Sequence, residues 1–240
     1  MRRSRITTMF NVLLALAILD GCFPDSTGPA TPAGASLLVS TISARATTLT
    51  ANGVDTTTVT VAPRDANGAA VTLASGAVRI TATRGSLGRV EQNADGTFAA
   101  VLTASDTAGL EIVVASVNGE LLHDSLFLLL VPGPPSAAHS LLGVTSPSII
   151  ADGTSSTTIF VQPRDANGNT ITDVAVTMTT TKGTLSPVVA ESSGPWDYGD
   201  DGHYSATLTS TTSVDSAIVS VKIAEEPFGA PIVVQFVPHP

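Results

Sequence analysis

The sequence predicts an all-β protein made of two tandem antiparallel β-sandwiches, and three observations lead to this prediction. Only 13% of the 240 residues are charged and 4% are aromatic, while β-branched residues and glycine are abundant. Such a composition disfavours helices. Long blocks of sequence occur twice, about 100 residues apart. Within the blocks, apolar and polar residues alternate with a period of two, which is typical of half-buried strands.

The first 35 residues precede the repeats and are predicted to form an export signal and a tether. Residues 1–21 carry a basic start, MRRSR, and an apolar core too short to span a bilayer. The pattern LDGC ends in Cys22, the single cysteine of the chain, and resembles a bacterial lipoprotein signal. The resemblance implies lipidation of Cys22 and export to the cell envelope, with the outer membrane favoured because Phe23 follows the cysteine. An ordinary secretory signal or an uncleaved anchor is the alternative. Residues 22–35 are rich in Pro, Gly, Ser and Thr and predict a flexible tether.

The duplicated blocks locate the two domains. ANGVDTTTVTVAPRDANGAAVT at 51–72 aligns without gaps with ADGTSSTTIFVQPRDANGNTIT at 151–172. Further along, DGTFAAVLTAS at 95–105 corresponds to DGHYSATLTST at 201–211. Consecutive prolines in the segment 133–138 predict a short, semi-rigid linker. We therefore predict domains at 36–132 and 139–240, each long enough to bury a core.

The hexapeptide PRDANG occurs once in each copy and predicts a β-turn. Aspartate at the first position of a turn accepts backbone N–H bonds, and Asn and Gly tolerate the conformations that follow. The predicted turn residues are Asp65, Asn67 and Gly68 in the first copy and Asp165, Asn167 and Gly168 in the second. A calcium loop is the alternative, but AAVT and NTIT supply no carboxylates after the glycine, and Ca²⁺ needs six to eight oxygens.

The order of these blocks resembles the bacterial Ig-like domain, group 1, of invasin- and intimin-type surface proteins. The matching features are the A-[DN]-G opening, the Thr/Val strand, the D-x-x-G turn, the G-x-L segment and the D-G before a strand that ends in L-T-S. They cover nearly all of both units. The resemblance implies two tandem immunoglobulin-like sandwiches and a role as a rigid extracellular spacer or adhesive module.

One loop is not duplicated and is the candidate binding site. The segment ESSGPWDYGDDGH at 191–203 holds the only tryptophan of the chain. Trp196 and Tyr198, with His203 at the edge, could stack on a sugar or a peptide, and Asp197, Asp200 and Asp201 could bind Ca²⁺. An ordinary hairpin loop with solvated acids is the alternative, and the sequence favours it.

Composition and motifs exclude several classes of function. A net charge of −9 repels nucleic acid and anionic headgroups, so no nucleic-acid partner is expected. The four histidines lack metal-ligand spacing and no G-x-S-x-G is present. We therefore predict a non-enzymatic protein without a cofactor, which meets the membrane only through its lipid anchor. Its partner would be a protein or a cell-surface glycan. The alternative function is a glycan- or peptide-binding module that uses the 191–203 loop.

Overall fold

The computed structural model describes residues 34–191 and 202–240, and this part of the chain contains β-strands and no helix. The first domain contains β1 (Thr41–Ala44), β2 (Thr48–Thr50), β3 (Thr56–Ala62), β4 (Val78–Ala82), β5 (Ser86–Leu87), β6 (Glu91–Gln92), β7 (Phe98–Thr103), β8 (Gly109–Val117) and β9 (Glu120–Val131). The second contains β10 (Leu141–Val144), β11 (Ser148–Ile150), β12 (Ser156–Gln162), β13 (Val176–Thr180), β14 (Thr184–Leu185), β15 (Val189–Glu191), β16 (His203–Thr209), β17 (Asp215–Ile223) and β18 (Glu226–Val237).

Each domain is a sandwich of two sheets with the same strand order. In the first domain one sheet runs β1-β3-β7-β5, with β6 also paired to β7, and the other runs β2-β9-β8-β4. The second domain repeats this order as β10-β12-β16-β14, with β15 on β16, and β11-β18-β17-β13. The all-β prediction and the two tandem sandwiches are confirmed.

One pairing in each domain is parallel, which the sequence did not predict. β2 pairs with β9, and β11 with β18, in the parallel sense, while the other pairings between strands are antiparallel. The cause is a crossing of the chain between sheets, because β1 lies in one sheet and β2, only three residues later, lies in the other. The chain keeps its direction while it changes sheets, so β2 meets β9 in the parallel sense.

Alternating side chains of both sheets fill the cores. Val59 and Val61 of β3 are completely buried, and Phe98 of β7 is 1% exposed. In the second domain Tyr204 occupies the place of Phe98, and its hydroxyl donates a hydrogen bond to the carbonyl of Thr172. The extra polar atom is therefore satisfied where it is buried, as the cost of an unpaired buried hydroxyl requires.

A serine–arginine contact at the start of each domain fixes the incoming chain. The N–H of Ser136 donates to the carbonyl of Arg164 at 2.7 Å, and the N–H of Arg164 donates to Oγ of Ser140 at 2.8 Å. In the first domain the N–H of Ser36 donates to the carbonyl of Arg64 at 2.6 Å. From Ser136 onward, the predicted linker is therefore bound to the second domain.

Candidate functional site: the joint between the two domains

The PRDANG segments form the same turn in both domains. In the first, Oδ1 of Asp65 accepts the N–H groups of Asn67 and Ala69, each at 2.9 Å, and the N–H of Gly68 donates to the carbonyl of Asp65 at 3.0 Å. In the second, Oδ1 of Asp165 accepts the corresponding N–H groups at the same distances. In each domain the aspartate thus organises a loop that is closed by an isolated β-bridge, Arg64 with Ala70 in the first domain and Arg164 with Thr170 in the second.

Asp165 does more than its counterpart, because it also binds the segment that joins the domains. Its Oδ2 accepts the N–H of Gly133 at 2.8 Å and Nδ2 of Asn169 at 2.9 Å. Asp165 is 2% exposed, whereas Asp65 is partly exposed. Burial acts to raise the pKa of Asp165, but the hydrogen bonds from Asn169, Gly133 and Asn167 outweigh it and hold the pKa below its ordinary value.

Two asparagines of the second turn reach across to the first domain. Nδ2 of Asn167 donates to the carbonyl of Ala51 at 2.9 Å. Nδ2 of Asn169 donates to the carbonyl of Asp106 at 2.8 Å, and Oδ1 of Asn169 accepts the N–H of Ala108 at 2.8 Å. Both the donor and the acceptor of the Asn169 side-chain amide therefore form hydrogen bonds to the first domain. The second turn thus docks the two domains together.

The first turn lacks a side chain that corresponds to the Asn169 amide. The position of Asn169 is occupied by Ala69, whose side chain cannot form hydrogen bonds, and Asn67, Gly68 and Ala69 are all exposed. The two copies of PRDANG therefore share a backbone conformation but not a role. The signal that separates them is the single residue after the hexapeptide, which the sequence reading did not use.

Most of the other predicted site residues lie outside the described part of the chain. Cys22 is among residues 1–33, and Trp196, Asp197, Tyr198, Asp200 and Asp201 are among residues 192–201. His203 is described: it is the half-buried first residue of β16 and lies opposite Glu191. The ligand and calcium hypotheses for this loop remain predictions.

Ionisable groups elsewhere in the described chain serve turns and loops. Oδ1 of Asp152 accepts the N–H groups of Thr154 and Ser155 at 2.8 and 2.6 Å, and these bonds hold its pKa well below the ordinary value. Asp215 forms a salt bridge of 3.0 Å with Lys182 at the surface.

Within residues 34–191 and 202–240, no group of three or more His, Cys, Asp or Glu residues is placed to hold a metal ion. No helix long and apolar enough to cross a membrane occurs among these residues.

A buried carboxylate that the sequence reading did not single out lies at the end of the first domain nearest the joint. Glu111 of β8 is fully buried, and its oxygens accept the N–H groups of Thr83, Arg84 and Gly85 and the hydroxyl of Thr83 at 2.5 to 3.0 Å. Burial acts to raise its pKa, and the hydrogen bonds more than offset that effect, so the pKa is lowered. This geometry identifies Glu111 as a structural carboxylate that organises a turn.

The fold and the joint define a protein of tandem Ig-like domains joined end to end. The family described as invasin, domain 3, matches the chain twice, over residues 36–128 and 136–239. The chain therefore belongs to the invasin domain 3 family, and the resemblance to invasin- and intimin-type Ig-like domains is confirmed.

Solved structures of bacterial proteins are similar to this chain. Invasin, described as a bacterial integrin-binding protein, is 25% identical with a TM-score of 0.69, and the match covers 85% of this chain and 41% of invasin. InvD of Yersinia pseudotuberculosis is 31% identical with a TM-score of 0.62, over 84% of this chain and 58% of that one. The Escherichia coli adhesin FdeC shares the fold at 23% identity and a TM-score of 0.68, over 86% of this chain and 65% of that one. The match thus spans less than two thirds of each of these proteins.

Proposed function

We propose that the chain is a non-enzymatic lipoprotein of the cell envelope whose two Ig-like domains act as a rigid surface spacer and as an adhesion or protein-interaction module. The observation that carries the proposal is the docking of the second PRDANG turn onto the end of the first domain. A spacer must resist bending between its domains, and side-chain bonds across the joint supply that resistance.

The number of bonds at the joint is sufficient for a preferred orientation. Asn167 and Asn169 contribute three hydrogen bonds of 2.8 to 2.9 Å to the first domain. At about 1 kcal/mol net for each bond, they favour the docked arrangement by roughly 100-fold over an undocked one. Asp165 adds a bond to Gly133 at 2.8 Å, which shortens the freely rotating part of the linker.

The interaction role is supported by the relatives. Invasin is described as integrin-binding and FdeC as an adhesin, and both carry domains of this fold. We propose that the present chain likewise acts as an interaction module, with a protein or a cell-surface glycan as its partner.

A distance measurement between the domains tests the spacer. Spin labels at Thr81→Cys and Ser220→Cys, both exposed strand positions, are introduced in a Cys22→Ser background. We expect one narrow distance distribution by pulsed electron paramagnetic resonance, which Asn169→Ala broadens. Asn67→Ala is the matched control, since this exposed asparagine of the first turn should leave the distribution unchanged. A broad distribution in the parent would contradict the proposal.

The lipid anchor is a separate part of the proposal and rests on LDGC alone. Lipidation at Cys22 would tie the tether to the membrane through acyl chains, since stable anchoring takes more than one chain. Cys22→Ser should move the protein from the membrane to the soluble fraction of cells. A variant that remains with the membrane would argue against lipidation.

A further inference from the structure

A shallow groove crosses the outer face of the first sheet of the first domain. It consists of two adjoining depressions of about 360 and 290 Å³. Both are lined by Thr58 of β3 and Val101 of β7, which lie opposite each other in the sheet. Arg45 lines the first depression and Arg89 the second. We call this surface the cross-strand groove.

The sheet register places the two arginines at opposite ends of the groove. The N–H of Arg45, just after β1, donates to the carbonyl of Thr58 at 3.1 Å. The N–H of Gly88, just before Arg89, donates to the carbonyl of Val101 at 2.8 Å. Because the strand order is β1-β3-β7-β5, the two arginine backbones are three strand spacings apart, which is about 14 Å.

Neither arginine is explained by the fold. Among the described residues, the exposed side chains of Arg45 and Arg89 have no hydrogen-bond or salt-bridge partner, in a chain of net charge −9. The second domain, which has the same topology, carries the uncharged Thr145 and Pro187 at the corresponding positions. Glu91, which also lines the second depression, is the single carboxylate among the described residues that line the groove.

We propose that the cross-strand groove binds an extended acidic peptide with carboxylates at positions i and i+4 and a small apolar residue at i+2. In an extended chain these three side chains share one face, and four residues span about 13 to 14 Å, which matches the separation of the two arginine backbones. Each carboxylate would pair with one guanidinium, a geometry that arginine favours. Val101, which is 49% exposed, would cover the apolar residue.

The lining of the groove favours a peptide over a sugar. None of the described residues that line either depression is aromatic, so the ring stacking that commonly holds sugars is absent. The inference rests on the proposed role as an interaction module and names the class of partner.

A binding titration with a defined probe tests the groove. The labelled peptide Asp-Ser-Val-Ser-Asp is titrated with the full chain at low ionic strength and followed by fluorescence anisotropy. We expect saturable binding that weakens with added salt and falls at least about tenfold in the double variant Arg45→Thr, Arg89→Ala. Arg79→Thr is the matched control, because Arg79 is an exposed arginine on the opposite sheet, and it should bind as the parent does.

Three results of the peptide titration would overturn the proposal. They are equal binding of Asn-Ser-Val-Ser-Asn, unchanged binding by the double variant, and no binding at millimolar peptide. Binding of an oligouronic acid through the two arginines, in place of the peptide, would also overturn it. The Asn169→Ala variant keeps the groove intact and is expected to bind the peptide normally, so a failure of the spacer function and a failure of the groove are distinguished.

Discussion

The two domains share one topology but stabilise the turn after their fourth strand in different ways. In the first domain Glu111 accepts four hydrogen bonds from the turn 83–85. In the second domain the corresponding residue is Ala217, which is also completely buried. The first domain thus uses a buried carboxylate where the second has an apolar contact.

The second domain, which lacks this carboxylate, also differs from the first at two neighbouring positions. Phe236 stands where the first domain has Leu130, as the pairing of β17 with β18 and of β8 with β9 shows. Its ring lies 3.1 Å from the position that a Cβ on Gly183 would take, and Gly183 has a φ of 75°, which favours glycine. The turn N–H of Lys182 is accepted by Oγ1 of Thr180 at 3.4 Å. The two domains therefore keep the same strand order with different residues at this turn.

The largest expected effect is a loss of stability of the first domain when the buried carboxylate of Glu111 is removed. Glu111→Ala removes the acceptor of three backbone N–H groups at a buried site, and each orphaned group is costly. We expect the free energy of unfolding of the first domain to fall by about 3 kcal/mol. Circular dichroism follows both domains during unfolding in urea, whereas fluorescence reports the second alone, because all tryptophan and tyrosine of the chain, Trp196, Tyr198 and Tyr204, lie there.

Glu120→Ala is the control for this experiment. Glu120 is an exposed glutamate at the start of the adjacent strand β9, and its loss should change stability by less than about 0.5 kcal/mol. Equal effects of the two variants would show that Glu111 does not organise the turn.

Acid should act on the first domain through the same carboxylate. The pKa of Glu111 is lowered from an ordinary value of 4.5, so in the range between the two values the unfolded chain binds the proton more tightly than the folded one. The stabilisation is complete above pH 4.5 and is lost as pH falls through the folded pKa. Glu111→Gln should therefore flatten the acid dependence of unfolding of the first domain. The second domain, observed by fluorescence, should keep its own dependence, and a parallel loss there would contradict the assignment.

The duplicated blocks, the strands and the sandwich class could be predicted from the sequence because alternation and repetition are local signals. The buried face of β8 could not be predicted in this way. Leu110 and Ile112 alternate with Glu111 and Val113, so apolar residues occur on both faces of the strand. Tertiary packing buries Glu111 and leaves Leu110 52% exposed. The N–H groups that this carboxylate binds come from residues 26 to 28 positions earlier in the chain.

The joint was beyond sequence reasoning for a similar reason. PRDANG identified the turn in both copies, but its partners Ala51, Asp106 and Ala108 contribute only main-chain groups to the contact. Backbone carbonyls and N–H groups leave no mark in a sequence. The only visible trace is the change from Ala69 to Asn169, which has meaning once the two domains are placed end to end.

The smallest expected effect concerns a cross-strand pair on the outer face of the same sheet in each domain. The first domain pairs Ser43 with Thr60, and the second pairs Gly143 with Phe160. The Phe160 ring covers Gly143 so closely that an added Cβ would lie 2.7 Å from its Cζ atom. An aromatic ring over a strand glycine protects backbone that lacks a side chain of its own.

A double-mutant cycle measures this coupling. Phe160→Thr should lower the stability of the second domain by about 1 kcal/mol, and Gly143→Ser alone should also destabilise it because the new Cβ meets the ring. The double variant reproduces the pair of the first domain and should be more stable than the sum of the single changes predicts, by about 0.5 to 1 kcal/mol. Fluorescence-detected urea unfolding gives all three values. Additive effects would mean that the ring and the glycine are independent, and that the two domains differ at this pair only in composition.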